Sequence, residues 1–299
     1  MTGVGSVKNK HKKDSVRIAL IQMPCGTSLE QNLRAAVAQI KIAAAKGAQI
    51  VALQELFNTL YFCQAQRTKS FDGAQTIPGE ATKVLSELAR SKKIVIIAPL
   101  FEKAAKGVYY NSAAVIDADG RWLGTYRKMH IPDDPGFYEK FYFAPGDLGF
   151  RCFKTRYAKL GVLICWDQWF PEAARLTALQ GADILFYPTA IGWKPNQPAE
   201  TRSYHSAWET IQRGHAIANG VYVASVNRVG KEGAIKFWGS SFVADPFGEI
   251  RARAGSTRAE ILIEDCDLNL VDKTRREWPF LRDRRIDAYK KITSRFLGR

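Results

Sequence analysis

The sequence has few histidines, no paired cysteines and no long apolar run. Four histidines occur in 299 residues (His11, His130, His205, His215), none in HExxH or HxH spacing, which argues against a metal centre. Five cysteines (Cys25, Cys63, Cys152, Cys165, Cys266) are scattered without CxxC spacing. An odd, unpaired set in a chain of this length predicts reduced thiols rather than a disulfide framework or a zinc knuckle. No stretch approaches the roughly 18 apolar residues that span a bilayer. The opening "MTGVGSVKNKHKKDS" also lacks the apolar segment of a signal peptide. These absences predict a cytoplasmic protein with no membrane association.

Charge is plentiful but unevenly placed. The formal net charge is +15, of which residues 1–15 carry +3 and residues 273–299 carry +7. Basic runs at chain ends are ordinarily solvated tails, and no aromatic-interleaved basic motif accompanies them. Nucleic-acid binding is therefore not expected as the main function.

Between the tails, apolar strands alternate with amphipathic helices. "VRIALIQ" (16–22) reads as a buried strand, followed by a helix over 28–47 with Ser28 as N-cap and Gly47 at its end. Strand 49–53, helix 81–93 and strands 94–100, 109–117 and 121–128 follow. The second half repeats the cycle with strand 159–166, helix 171–181, strand 183–188, a long helix over 202–219 and strand 221–227. Val/Ile/Leu-rich strands separated by helices predict an α/β fold. "AAVIDADGRWLG" (113–124) and "SFVADPFGEIRA" (241–252) share a strand, D-x-x-G turn, strand pattern, one in each half. Residues 129–149 carry three prolines and no periodicity, as expected of a long loop that lines a site.

Three strand ends carry chemistry. "GVLICWDQWFPEAAR" (161–175) runs from apolar residues into Cys165 and then at once into Trp166, Asp167 and Gln168, where a helix begins. Open α/β sheets bind ligands at such strand ends, and helix-end amides with a cation can stabilise a thiolate. The other four cysteines read as small core hydrophobes. "ALQELF" (52–57) ends on Glu55, which should reach the same sheet edge as Cys165, and "GTYRKMHIP" (124–132) ends on Lys128. Singly, such a Glu or Lys fits a solvated surface. Together the three suggest a constellation, with His130 and His215 remaining candidates for a cysteine–histidine pair.

Glu55, Lys128 and Cys165, in that order, resemble the Glu-Lys-Cys triad of the nitrilase superfamily of carbon–nitrogen hydrolases. "PGD" (145–147) and "GHAIANGVYVASVNRVG" (214–230) extend the resemblance over residues 16–285. It implies a four-layer αββα sandwich of two similar halves, and subunits that pair into homo-oligomers. The expected organisation is a basic N-terminal tail over 1–15, a hydrolase domain over 16–285, and a C-terminal tail over 286–299 that packs on a partner subunit. The family chemistry needs no cofactor and no metal. It implies Cys165 as nucleophile, Glu55 as base and Lys128 at the oxyanion, with Glu139 resembling a second glutamate that orients the lysine and substrate. A loop salt bridge from Glu139 to Lys140 or Arg127 is the alternative.

"DDPGFYEKFYFAPGD" and "WPFLRDRRIDAY" resemble the branch that cleaves the terminal ureido group of a carbamoylated diamine, a small-molecule substrate ending in an ammonium. Asp133, Asp134 and Glu139, with Tyr61, Tyr138, Trp166 and Trp193, are the residues expected to receive it. One departure stands out: plant-like members of that branch resemble "TAIGSEP" where this chain has "TAIGWKP" (189–195). Lys194 pointing into the pocket would repel an ammonium and favour a carboxylate, as in N-carbamoyl-β-alanine. Lys194 pointing to solvent would change nothing.

Overall fold

A computed structural model describes residues 14–194 and 202–298. The readings made for residues 1–13, His11 among them, and for Pro195 lie outside the described residues.

Alternation along the first strands sorts side chains between two layers. In β1 (Ser15–Gln22), Val16, Ile18 and Leu20 enter one core while Ala19 and Ile21 enter another. Helix α1 (Leu29–Ala45) covers the second face with Ala36, Ile40 and Ala43, and Ser28 caps it by accepting the Gln31 N–H. β2 (Ile50–Leu53) follows, then α2 (Glu80–Lys92), whose Leu85, Leu88 and Ala89 complete the same layer. β3 (Val95–Ala105), β4 (Val108–Ile116) and β5 (Trp122–Arg127) finish the first half. The 129–149 segment holds only the two-residue strands β6 (Asp133–Asp134) and β7 (Phe137–Tyr138) and a short turn over 139–141.

The second half runs through β8 (Cys152–Lys154), β9 (Lys159–Val162), α3 (Pro171–Leu179), β10 (Ile184–Thr189), β11 (Gly192–Trp193) and α4 (Arg202–Asn219). It continues through β12 (Tyr222–Asn227), β13 (Val229–Glu232), β14 (Ile235–Trp238), β15 (Phe242–Ala244) and β16 (Ile250–Arg253). β17 (Glu260–Asp267) then returns to pair antiparallel with β1, and α5 (Leu268–Glu277) follows.

The sheets are ordered β17-β1-β2-β3-β4-β5 and β8-β9-β10-β12-β15-β16. Read in these directions, both run antiparallel, parallel, parallel, antiparallel, antiparallel. The repeated D-x-x-G hairpins, β4–β5 and β15–β16, fall in equivalent places, so the two halves share one topology. Their sheets stack face to face through one continuous core, with α1 and α2 outside one and α3 and α4 outside the other. This is the expected αββα sandwich.

Two expectations are corrected. The strand placed over 159–166 ends at Val162, and Cys165 opens a tight 3-10 turn over Cys165–Trp169. Glu55 and Cys165 do not share a sheet edge either, because β2 and β9 belong to different sheets. Only the stacking of the halves brings their ends together. β17 and α5 were not expected: β17 mixes acidic and apolar residues and is half-buried, which blurs its period.

The "PGD" segment positions the end of β5. Gly146 donates its N–H to the Lys128 carbonyl at 2.8 Å, and a Cβ there would stand 2.2 Å from the Arg127 carbonyl oxygen. Asp147 accepts from Arg127 Nη1 at 2.8 Å and from the Tyr110 hydroxyl at 2.9 Å. Gly146→Ala must push the loop off the backbone that carries Lys128. It is expected to lower stability by about 1–3 kcal/mol, the usual cost of overpacking, measured by urea unfolding.

Candidate active site

Glu55 sits just beyond β2, in a turn whose next residue, Leu56, takes φ +49°. Buried Arg228 holds this turn. Its Nη2 donates to the carbonyls of Glu55 (2.9 Å) and Leu56 (2.8 Å), and its Nη1 to that of Thr59 (2.9 Å). Glu232 neutralises Arg228 at 2.8 Å and accepts the Tyr61 N–H at 2.6 Å. On the other side Gln54 exchanges two hydrogen bonds with the Met23 backbone, at 2.7 and 3.2 Å. The position of the Glu55 carboxylate is thus fixed by contacts from both halves.

Lys128 follows β5 directly, and its N–H donates to the Asn111 carbonyl of β4 at 2.8 Å. Its ammonium donates to Glu55 Oε1 at 2.8 Å and to Glu139 Oε2 at 2.6 Å, with no side-chain surface exposed on Lys128 or Glu55. Asn111 Nδ2 also donates to Glu55 Oε1, at 2.7 Å. Glu55 Oε2, by contrast, is buried with no hydrogen-bond partner among the described residues. The Tyr61 hydroxyl donates to Glu139 Oε1 at 2.7 Å. Glu139 therefore pairs with Lys128 and with neither Lys140 nor Arg127; Arg127 instead pairs with Glu102 and Asp147.

Cys165 adopts φ +43° at the start of its turn. Asp167 ties that turn down. Its Oδ2 accepts from the Ile164 N–H (2.9 Å) and the Tyr126 hydroxyl (2.6 Å), and its Oδ1 accepts from the His130 N–H (3.0 Å) and His130 Nδ1 (2.7 Å). His215, kept neutral by burial, donates from Nε2 to the Gln168 carbonyl at 2.8 Å. Both candidate histidines thus hold the turn through Asp167 and Gln168.

The electrostatics follow from two carboxylates facing one ammonium in a dry site. Burial by itself would lower the Lys128 pKa, but Glu139 and Glu55 outweigh it and hold the lysine charged. Burial pushes Glu139 upward despite Lys128, with Glu55 adding to the rise. The Cys165 thiol is raised well above its ordinary value, first by burial and then by Glu55, against which Lys128 and a backbone hydrogen bond from Ala190 work. The thiol is thus protonated at neutral pH in the resting site.

A cavity of about 450 Å³ opens onto Cys165 and Glu139. Trp166, Lys194, Asp134, Phe137, Trp169 and Trp238 line it, with the backbone of 190–192. Of the residues expected around the substrate, Asp134, Glu139, Trp166 and Lys194 are in that lining. Tyr61 stands behind Glu139, Asp133 pairs with Tyr138 across the β6–β7 hairpin, and Trp193 packs on Trp238 at 5.2 Å; these four are outside it. Asn111, Arg228, Glu232 and Asp167 were not anticipated. The available signals were a lone Asn in the apolar "YYNSAAV" and an Arg directly after the strand in "SVNRVG".

Fold and site together describe an αββα hydrolase in which Cys165 and Glu139 line one cavity, with Lys128 and Glu55 buried behind them. The family model for carbon-nitrogen hydrolases matches residues 17–276, and the chain belongs to that family. It is 46% identical over 288 residues to an N-carbamoylputrescine amidase of Solanum lycopersicum, covering 93% of this chain and 95% of the relative. It is 42% identical to a citrullinase of Francisella tularensis, covering 94% and 99%. The crystal structure of a carbon-nitrogen hydrolase from Helicobacter pylori G27 superposes with a TM-score of 0.91 at 47% identity, covering 95% of this chain and all of that one.

Two outcomes are expected. Arg228→Met strands Glu232 and frees three carbonyls in the interior, so it should cost about 3–5 kcal/mol in denaturant unfolding, as breaking a buried pair does. Because burial and the carboxylates disfavour the thiolate, alkylation of Cys165 by iodoacetamide should keep accelerating above pH 9. A solvent-exposed thiol near its ordinary pKa would level off there.

Proposed function

We propose that the chain hydrolyses the terminal ureido C–N bond of N-carbamoylputrescine, giving putrescine, carbon dioxide and ammonia. The observation that carries this reading is the Glu55 carboxylate. Lys128 and Asn111 hold one oxygen, while the other is buried and unpartnered among the described residues, and the carboxylate acts electrostatically on the Cys165 thiol. The amidase relatives, alike over most of the chain, support the choice of substrate.

In the first step Glu55 takes the Cys165 proton as sulfur attacks the ureido carbonyl carbon. The oxygen that becomes negative is met by the Lys128 ammonium and the backbone N–H of Trp166. The carbonyl carbon then loses its terminal nitrogen, which leaves as ammonia with the proton returned by Glu55, and a carbamoyl thioester remains. In the second step Glu55 takes a proton from water, whose oxygen attacks the thioester. The thiol leaves, and the carbamic acid formed loses carbon dioxide to yield the amine. Glu139, held by Tyr61, keeps the ammonium aimed at the carbonyl throughout.

The hydrolase domain on this reading spans 16–285, with basic tails outside it. In the described part of the C-terminal tail Tyr289 and Ile292 line a groove with Arg175 and Leu176 of α3, and Ile286, Ile292, Phe296 and Leu297 are exposed. Such an exposed apolar edge supports a homo-oligomer that covers it.

Cys165→Ala is expected to abolish ammonia release while the unfolding transition stays native. Glu55→Gln should instead let a carbamoyl adduct persist on Cys165, seen by intact-protein mass spectrometry. Wild-type ammonia release by Cys165→Ala would end the sulfur mechanism.

A further inference from the structure

Asn111 lies in β4, fully buried and opposite Phe101 of β3, and its main chain and side chain both serve the acid–ammonium cluster. Its carbonyl accepts the Lys128 N–H at 2.8 Å, which sets the lysine's backbone. Its Nδ2 donates to Glu55 Oε1 at 2.7 Å and stands 3.5 Å from Glu139 Oε2. The amide nitrogen therefore faces both carboxylates, and Asn111 Oδ1 is left buried with no hydrogen-bond partner among the described residues. An orphaned buried acceptor is costly, so it is the two acids that hold the amide in this orientation.

Each carboxylate oxygen offers about two lone-pair sites. On Glu55 Oε1 both are taken, by the Lys128 ammonium at 2.8 Å and by Asn111. Oε2, unpartnered among the described residues, is the oxygen left to take a proton. Lys128 alone would not decide this, because an ammonium shared with Glu139 can pull on either oxygen and the terminal torsion of a glutamate is soft. An amide also suits the place electrically. It adds a donor without adding charge to a site that already holds two acids and one ammonium.

We propose that Asn111 is a positioning residue: by filling Glu55 Oε1 it aims Oε2 at the Cys165 thiol and commits that oxygen to the proton transfers of the reaction. This rests on the reading of Glu55 as the base and names the residue that aims it. The proton leaves sulfur for Oε2, goes on to the departing ammonia, and is replaced from water in the second step. Asn111 itself stands behind the acids, outside the lining of the cavity, so its loss acts on kcat and leaves KM nearly unchanged.

The test compares Asn111→Leu, Asn111→Ser and Asn111→Asp with wild type in two assays. One is ammonia release from N-carbamoylputrescine between about pH 6 and pH 9; the other is the rate of Cys165 alkylation by iodoacetamide, read by peptide mass spectrometry. Asn111→Leu and Asn111→Ser should lower kcat about tenfold or more with KM within about twofold, the scale of a displaced catalytic group. They should also slow alkylation, which draws on the same transfer from sulfur to Glu55. The carboxyl introduced by Asn111→Asp donates while it holds its proton and repels Glu55 once it ionises. Its kcat relative to wild type should therefore fall as pH rises, while Asn111→Leu and Asn111→Ser keep a constant ratio. A packing role would give no such trend. Wild-type kcat or wild-type alkylation in a natively folded Asn111→Leu or Asn111→Ser overturns the proposal, and so does a ratio for Asn111→Asp that does not move with pH. Each variant decides alone, and Asn111→Ser fits any space the asparagine fills. No ammonia from wild type overturns instead the substrate reading, and alkylation, which needs no ureido group, then decides the role of Asn111.

Discussion

Everything at the site depends on one ammonium enclosed by two carboxylates. Lys128 has no exposed side-chain surface and touches Glu55 and Glu139 at once. Removing ions from water is costly, and only their mutual attraction with further hydrogen bonds repays it. Asn111 and Tyr61 supply those bonds. With both acids ionised the cluster carries one negative charge too many for a dry interior. Burial first, and the neighbouring Glu55 carboxylate second, push Glu139 and the Cys165 thiol upward against the pull of Lys128. On the proposed mechanism a proton passed from sulfur to Glu55 stays within the cluster and leaves its total charge unchanged, so that step brings no new charge into the low-dielectric site.

The sandwich makes that cluster possible by dividing the labour between two like halves. One sheet supplies the charged groups at the ends of β2 and β5; the other supplies the thiol beyond β9. Left-handed backbone at Leu56 and Cys165, neither of them glycine, puts both side chains on tight turns that their surroundings must impose. Arg228 imposes the first from the second half, and Asp167 imposes the second with Tyr126 and His130 of the first half. Each half therefore braces the turn presented by the other.

Much of this could be read along the chain. Apolar periods gave the α/β class, and the three strand-end residues appear in the structure as members of one buried cluster, with Glu139 as the fourth. What escaped was everything whose meaning depends on a distant partner. Asn111 looks like any strand residue until Lys128 stands opposite it, and Arg228 looks like surface charge until the Glu55 turn closes over it. Tyr61, Asp133, Tyr138 and Trp193 were placed around the substrate because of their chemistry. In the structure the Tyr61 hydroxyl goes to Glu139, Asp133 pairs with Tyr138 in the β6–β7 hairpin, and Trp193 packs on Trp238.

The sequence by itself determined the periodicities, the repeated half, and the residue types able to carry out amide-like hydrolysis, because these depend on neighbours a few positions away. Tertiary structure alone decided that Glu55 and Cys165 meet across two sheets rather than along one, and that His130 and His215 brace a turn. It also put the Lys194 ammonium in the cavity beside Asp134 and Phe137. The physical reason is the same in each case: a charge or a hydrogen bond takes its energy from what faces it, and what faces it comes from the other half of the chain.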